Sequence, residues 1–152
     1  MRYGVPQGSV LGPLLFCIFI NDLPLHISND KVSNDLFADD SSLHTREKNI
    51  QLVETSLQGS LNEIADWCGS NSMIIHLVKT KGMVIATPQK HQLGPLQLKL
   101  TLDKTDIEQV HEHRVLGVTI DAEMKWQSHL SNVCKIVLKK TTFSYFLSSG
   151  TM

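Results

Sequence analysis

Gly4-Val5-Pro6-Gln7-Gly8-Ser9-Val10-Leu11-Gly12-Pro13-Leu14-Leu15-Phe16, followed further on by Phe37-Ala38-Asp39-Asp40, is the stretch on which the reading of this chain turns. In its first part Pro6 and Pro13 fix φ, while Gly4, Gly8 and Gly12 admit conformations that other residues avoid. The pattern predicts a loop over residues 1–13 that feeds a buried core helix. That helix starts near Ser9 or Pro13, runs to about Ile20 and stops at Asn21-Asp22, with Pro24 beyond it. In the second part Leu36-Phe37-Ala38 and Ser41-Ser42-Leu43-His44-Thr45 read as two short strands joined by a tight turn at Asp39-Asp40. Adjacent carboxylates repel each other, and a cation between them relieves the repulsion. Turn chemistry alone accounts for an isolated Asp-Asp pair. An aromatic and an alanine in the preceding strand, and the Gly/Pro motif whose Gly8 lies 31 residues before Asp39, favour a metal-binding tip instead.

Downstream, Ile50, Val53, Leu57, Leu61, Ile64, Ala65 and Trp67 or Cys68 recur at steps of three and four, one face of a helix. Gly69 is a suitable terminator, with Asn71 expected in the left-handed conformation. Met73–Val78 and Met83–Thr87 read as strands around the basic turn Lys79-Thr80-Lys81-Gly82, and 88–95 as a loop. Leu96, Leu98, Leu100 and Leu102 alternate with polar residues, as on a half-buried strand. Asp103-Lys104-Thr105-Asp106 would turn that strand into Ile107–Val110. Val115–Ile120 reads as a further strand closed by Asp121. Trp126, Leu130, Val133, Cys134, Val137 and Leu138 mark a last amphipathic helix.

A chain of 152 residues with 41% hydrophobic and 19% charged residues suits an ordinary domain with a real core. Fourteen basic against fifteen acidic residues, a formal charge of −1, lack the basic surplus of an autonomous nucleic-acid binder. Cys17, Cys68 and Cys134 are few, odd in number and far apart, which fits free buried thiols in a reducing intracellular compartment, nucleus or cytoplasm. His111-Glu112-His113 has no cysteine partners nearby, so zinc is disfavoured. The apolar run from Val10 to Ile20 is too short to span a bilayer, so no membrane is expected as a partner.

These motifs resemble the palm domain of reverse transcriptases, RNA-directed DNA polymerases, of the kind carried by non-LTR (LINE-type) retrotransposons. Gly4 to Phe16, continued by Ile20-Asn21-Asp22-Leu23-Pro24, is similar to the family's nucleotide-pocket segment. By that resemblance Gln7 contacts the incoming nucleotide and Gly8 permits close backbone approach. Phe37-Ala38-Asp39-Asp40 matches the aromatic-x-Asp-Asp metal motif, with Phe37 a core residue and a platform for the primer end. Trp67, Asn71 and Lys79-Thr80-Lys81 resemble the next motif, whose lysine lies near the triphosphate; the resemblance selects Lys79. Val115–Asp121, with Lys125-Trp126 and His129, is similar to the segment after the palm.

The resemblance implies two-metal nucleotidyl transfer with Mg²⁺, or Mn²⁺, held by Asp39 and Asp40. RNA template, DNA primer and deoxynucleoside triphosphate are the implied partners of the complete protein. The implied fold is α+β, a ferredoxin-like βαββαβ palm without its first strand. Residues 1–95 would form a partial palm. Residues 96–152 would form a palm-to-thumb connection with a β-hairpin, a strand and a terminal helix.

The family's first catalytic Asp lies on a strand ahead of the nucleotide-pocket segment, and Asp22 and Asp30 follow that segment instead. The expectation is therefore a palm truncated at both ends, with two of three catalytic carboxylates, inactive alone and binding nucleic acid weakly or not at all. Uncovered sheet edges, with Leu14, Phe16 and Ile18 partly bare, would favour self-association. The alternative function is a catalytically inert retroelement remnant or a protein-interaction module. Residue by residue, plainer roles compete: Gln7 as a turn cap, Lys79 and Lys81 as solvated turn residues, Trp67 and Trp126 as core anchors, and His76 as a structural residue on a strand.

Overall fold

The computed structural model describes residues 4, 8–92, 94 and 96–148. They form a mixed α/β arrangement in which every sheet has two strands. The chain divides into two compact units, Met1–Thr80 with Leu98–Ile107, and Lys81–Gln97 with Glu108–Met152.

In the first unit, α1 spans Gly12–Ile20, with Pro13 in its first turn, where a missing N–H costs nothing. Ser9 Oγ accepts the Gly12 N–H at 3.1 Å. The helix ends at Asn21 as its sequence predicts, and a 3₁₀ turn follows over Leu23–His26. The expectation of a buried helix is corrected. Ile20 is buried and Phe16 packs against the core, but Leu14 is 59% and Ile18 66% exposed. Among the described residues only one stripe of α1 meets the core, because the apolar residues encircle the helix and one neighbour covers one side.

Strands β1 (Val32–Phe37) and β2 (Asp40–Thr45) pair antiparallel, with Val32 opposite Thr45 and Phe37 opposite Asp40. Leu36 and Leu43 turn toward the core, made of Ile20, Leu23, Ile64, Trp67 and Cys68. Of the three thiols expected to be buried only Cys68 is, while Cys17 and Cys134 are exposed. Burial pushes the Cys68 thiol pKa up.

The long helix α2 (Ile50–Ser70) buries the face that its periodicity marks. Asn49 Oδ1 caps it by accepting the Leu52 N–H at 2.9 Å. Asn49→Ala is expected to cost about 1 kcal/mol. Urea unfolding followed by circular dichroism checks this, and an unchanged midpoint would mean that the cap is idle. At the other end Ser72 (φ 56°), not Asn71, takes the left-handed conformation. Asn71 stays closed onto the helix, its N–H and its side-chain amide both donating to the Trp67 carbonyl.

The strand expected at Met73–Val78 does not form. Lys79 N–H and Thr80 N–H donate back to the His76 carbonyl, so His76 opens a turn rather than lying on a strand. Leu98, Leu100 and Leu102 are buried in alternation, as read, but only Thr101–Leu102 (β4) is ladder-paired. The reason lies in α2. Gln58 accepts the Thr101 N–H and donates to its carbonyl, both at 2.8 Å, and Glu54 accepts the Lys99 N–H. Side-chain amide and carboxylate groups thus replace a neighbouring strand. The return strand is β5 (Thr105–Asp106), reached through Asp103 (φ 48°) and Lys104 (φ 64°). Two consecutive left-handed residues match the twist of a two-residue hairpin.

In the second unit, β3 (Lys81–Gly82) runs parallel to β6 (Glu108–Gln109), and α3 spans Pro88–Gln92. Residues 83–87 form no strand. The segment read as one strand, Val115–Ile120, is a hairpin of β7 (Glu112–Val115) and β8 (Val118–Asp121). Leu116 (φ 49°) and Gly117 (φ 86°) make its turn, and the unhindered glycine backbone is what permits the reversal inside an apolar run. Helix α4 spans Gln127–Ser148. Trp126 precedes it with a positive φ and is partly exposed, whereas Trp67 is the core anchor expected of it.

Asp121 braces the loop into α4. Its Oδ1 accepts the N–H groups of Glu123 and Lys125 at 3.0 Å, and its Oδ2 that of Trp126 at 2.9 Å. These donors, Lys125 foremost, hold its carboxyl below the ordinary value of 3.8 despite some desolvation. A depressed folded-state pKa stabilises fully above the ordinary value, and the stabilisation is lost as pH falls through the folded value. The melting-temperature advantage of the wild type over Asp121→Asn is therefore expected to be undiminished at neutral pH and to shrink only as pH drops below the ordinary value of 3.8. A constant gap across the titration would refute the charge-assisted role.

Candidate active site on the first hairpin

Period-two pairing builds this site. In an antiparallel pair, directly opposite residues share a face. Val32, Asn34 and Leu36, with Ser41, Leu43 and Thr45, form the inner face of β1 and β2. Ser33, Asp35 and Phe37, with Asp40, Ser42 and His44, form the outer face. Asp40 therefore stands opposite Phe37 at the end of the ladder, and Asp39 sits in the turn beside it. Ala38 takes φ 53° to close that turn. A non-glycine residue there carries strain of about 1–2 kcal/mol, of the kind that collects at functional tips.

Asp39 and Asp40 are both exposed, and neither is ion-paired among the described residues. Phe37 is 64% exposed, so it offers a ring face beside Asp40 and contributes little to the core. Gly8 has φ 83° with open space around it, a conformation that glycine supplies. Gln7 lies outside the described residues. Lys79 is exposed in the turn after His76. Lys81 is engaged, its Nζ 2.5 Å from Glu108 Oε2.

The donor chemistry suits a hard divalent cation in part. Two adjacent carboxylates supply oxygen ligands, and such ions take the remainder from water and phosphate. Among the described residues no group of three or more His, Cys, Asp and Glu side chains is placed to hold a metal ion. The sequence reading overlooked Asp35 and His44, which share the outer face with Asp40 and lie 3.4 Å apart, Oδ2 to Nδ1. The alternation Asp35-x-Phe37 and Asp40-x-Ser42-x-His44 puts these residues on one face only once the strand register is known.

The first hairpin thus carries paired exposed carboxylates at its tip, on strands that follow helix α1. Residues 2–120 match the reverse transcriptase (RNA-dependent DNA polymerase) family, and the chain belongs to that family. It is 28% identical to the RNA-directed DNA polymerase from mobile element jockey of Drosophila melanogaster, over 86% of this chain and 14% of that protein. It is 31% identical to the probable RNA-directed DNA polymerase from transposon BS of the same fly, over 86% of this chain and 15% of that protein. The probable polymerase from transposon X-element aligns with 97% of this chain at 26% identity, over 16% of its own length. The chain thus spans only 14–16% of the length of these curated relatives. No solved structure matches it.

Proposed function

We propose that this chain is the metal-binding part of an RNA-directed DNA polymerase palm, working on an RNA template, a DNA primer and a deoxynucleoside triphosphate. The supporting observation is the hairpin tip, where Asp39 and Asp40 stand exposed and, among the described residues, without ion-pair partners, inside the family-matched span. In this reading residues 1–95 belong to a ferredoxin-like palm and 96–152 to the connection beyond it. Asp39 and Asp40 hold Mg²⁺ or Mn²⁺. When bound there, the cation supplies charge stabilisation for the primer 3′-hydroxyl and for the leaving pyrophosphate.

The protein's own groups orient the reactants. Phe37 gives the primer end an apolar face next to Asp40, and its position in the ladder keeps that face fixed. Gly8 lets the backbone approach the nucleotide, and Gln7 hydrogen-bonds it. Lys79 Nζ donates a proton to the leaving pyrophosphate. Its exposure in a turn leaves it able to reach phosphate, while Lys81 is held by Glu108. The free thiols Cys17, Cys68 and Cys134 suit a reducing compartment, nucleus or cytoplasm.

The test is primer extension on an RNA template by the polymerase reading frame that carries this segment. Extension that requires Mg²⁺ or Mn²⁺ and stops with a chelator is expected. Metal-independent extension, or none on any template, would sink the reading.

A further inference from the structure

We infer that Asn34 is a positioning residue: its cross-strand hydrogen bond to Ser41 fixes the register of the β1–β2 hairpin and so holds Asp39 and Asp40 in place for a divalent cation. This rests on the proposed polymerase reading and extends it to residues on the face opposite Asp40. Asn34 Nδ2 donates to Ser41 Oγ at 3.0 Å, and Ser41 directly follows Asp40. Asn34 pairs with Leu43 and Ser41 with Leu36, so the bond runs diagonally between neighbouring inner-face pairs. It lies next to the Phe37–Asp40 pair that closes the ladder.

Stability alone disfavours asparagine at position 34. Val32 and Leu36 flank it on the inner face, where the alternation calls for an apolar residue. Asparagine is also depleted in strands. Its Oδ1 is buried without a hydrogen-bond partner among the described residues, so it loses water and regains nothing. What the side chain adds is the bond to Ser41. In coiled coils one polar residue in an apolar seam specifies register at a cost in stability, and the same trade operates here.

Register decides where the carboxylates stand. Leu36 and Leu43 pack against the core and resist a slip of one residue, which would turn every side chain of a strand to the other face. A slip of two keeps the faces, so apolar packing does not resist it. It would set Phe37 opposite Ser42 and draw Asp39 and Asp40 into a loop of residues 38–41. That loop would also relieve the strain of Ala38 at φ 53°. Among the described residues β1 and β2 pair only with each other, so no third strand keeps them in step. The Asn34–Ser41 bond is made in the observed register and lost in the slipped one, where Asn34 faces Thr45.

The experiment uses the polymerase that carries this segment and compares wild type, Asn34→Val, Ser41→Ala, Ser41→Thr and the Asn34→Val/Ser41→Ala pair. Metal uptake is read without turnover, on a chain-terminated primer–template, from the loss of the free Mn²⁺ paramagnetic resonance signal. Asp39→Asn marks the uptake that belongs to the tip. Asn34→Val is expected to melt at or above the wild-type temperature while weakening that uptake by about three- to tenfold. Amide hydrogen exchange over residues 36–42 should quicken in Asn34→Val while α2 keeps its protection. Ser41→Ala should match Asn34→Val, the pair should be no worse than either alone, and Ser41→Thr should behave as wild type. Undiminished uptake in Asn34→Val, single effects that multiply in the pair, or wild-type uptake that Asp39→Asn leaves unchanged would each overturn the inference. A lowered melting temperature in Asn34→Val would overturn it too, by making Asn34 a plain structural residue. Weakened Mn²⁺ uptake by Asn34→Val in a protein that extends no primer would keep this role for Asn34 and remove the polymerase reading.

Discussion

Asp39→Asn and Asp40→Asn, each made in the polymerase that carries this segment, are expected to lower the rate of primer extension by at least about a thousandfold, the upper part of the range for removing a preorganised electrostatic group. Asparagine keeps the size and turn propensity of aspartate but loses the charge that attracts a divalent cation. The same substitutions should leave folding nearly unchanged, because both carboxylates are exposed and, among the described residues, without ion-pair partners. Removing one of two adjacent negative charges costs the fold nothing, and exposed substitutions usually stay within about 0.5 kcal/mol. Single-turnover extension with saturating Mg²⁺, beside a thermal melt of each variant, separates the two effects. A variant that melts like wild type and still extends primers within tenfold of it would remove that carboxylate from the metal site.

The largest effect on stability is expected at Trp67. It is 4% exposed, packs its ring 5.6 Å from that of Phe19 and 6.4 Å from that of His26, and joins α1, the 3₁₀ turn and α2 in one core. Trp67→Ala should cost about 3–5 kcal/mol, from lost transfer energy and the cavity left behind. The indole Nε1 is buried with no hydrogen-bond partner among the described residues. Trp67→Phe gives up ring area but no hydrogen bond, and should cost about half as much or less. Urea unfolding of both variants, followed by far-ultraviolet circular dichroism, makes the comparison. Equal costs for phenylalanine and alanine would show that the indole N–H matters. A cost below about 1 kcal/mol for alanine would show that this cluster is not the core.

The elements that were legible in the sequence are those whose stabilisation is local. Helix α2 follows from its three-and-four spacing and from Asn49, which caps its start within the same turn. The first hairpin follows from a short turn between strand-forming runs, and its register brings Phe37 and Asp40 together with no distant partner. Misread segments were those decided by a partner far along the chain. Residues 96–102 alternate as a strand does and bury the leucines accordingly, but Gln58 and Glu54, more than forty residues earlier, occupy backbone groups that a neighbouring strand would use. The apolar run 115–120 carries no sign of its reversal except Gly117, and two left-handed residues there outweigh the propensity of their neighbours to extend.

The site divides in the same way. Asp39 and Asp40 could be singled out from the sequence because the aromatic and alanine before them and the Gly/Pro motif upstream accompany them; an isolated pair would read as a plain turn. Asp35 and His44 could not, since an acid and a histidine nine positions apart mean nothing until strand pairing sets them 3.4 Å from each other. As basic turn residues Lys79 and Lys81 stood equal, and the resemblance alone selected Lys79; the folded chain pairs Lys81 with Glu108 and leaves Lys79 exposed. By itself the sequence determined the family, the adjacent carboxylates and the helices α1, α2 and α4, because each rests on residues close together along the chain, whereas α3 falls in a segment read as a loop. Tertiary structure alone decided which strands pair, which face of the hairpin carries Asp35, Phe37, Asp40 and His44 and which apolar residues of α1 are covered, because those depend on contacts between segments that the linear order keeps apart.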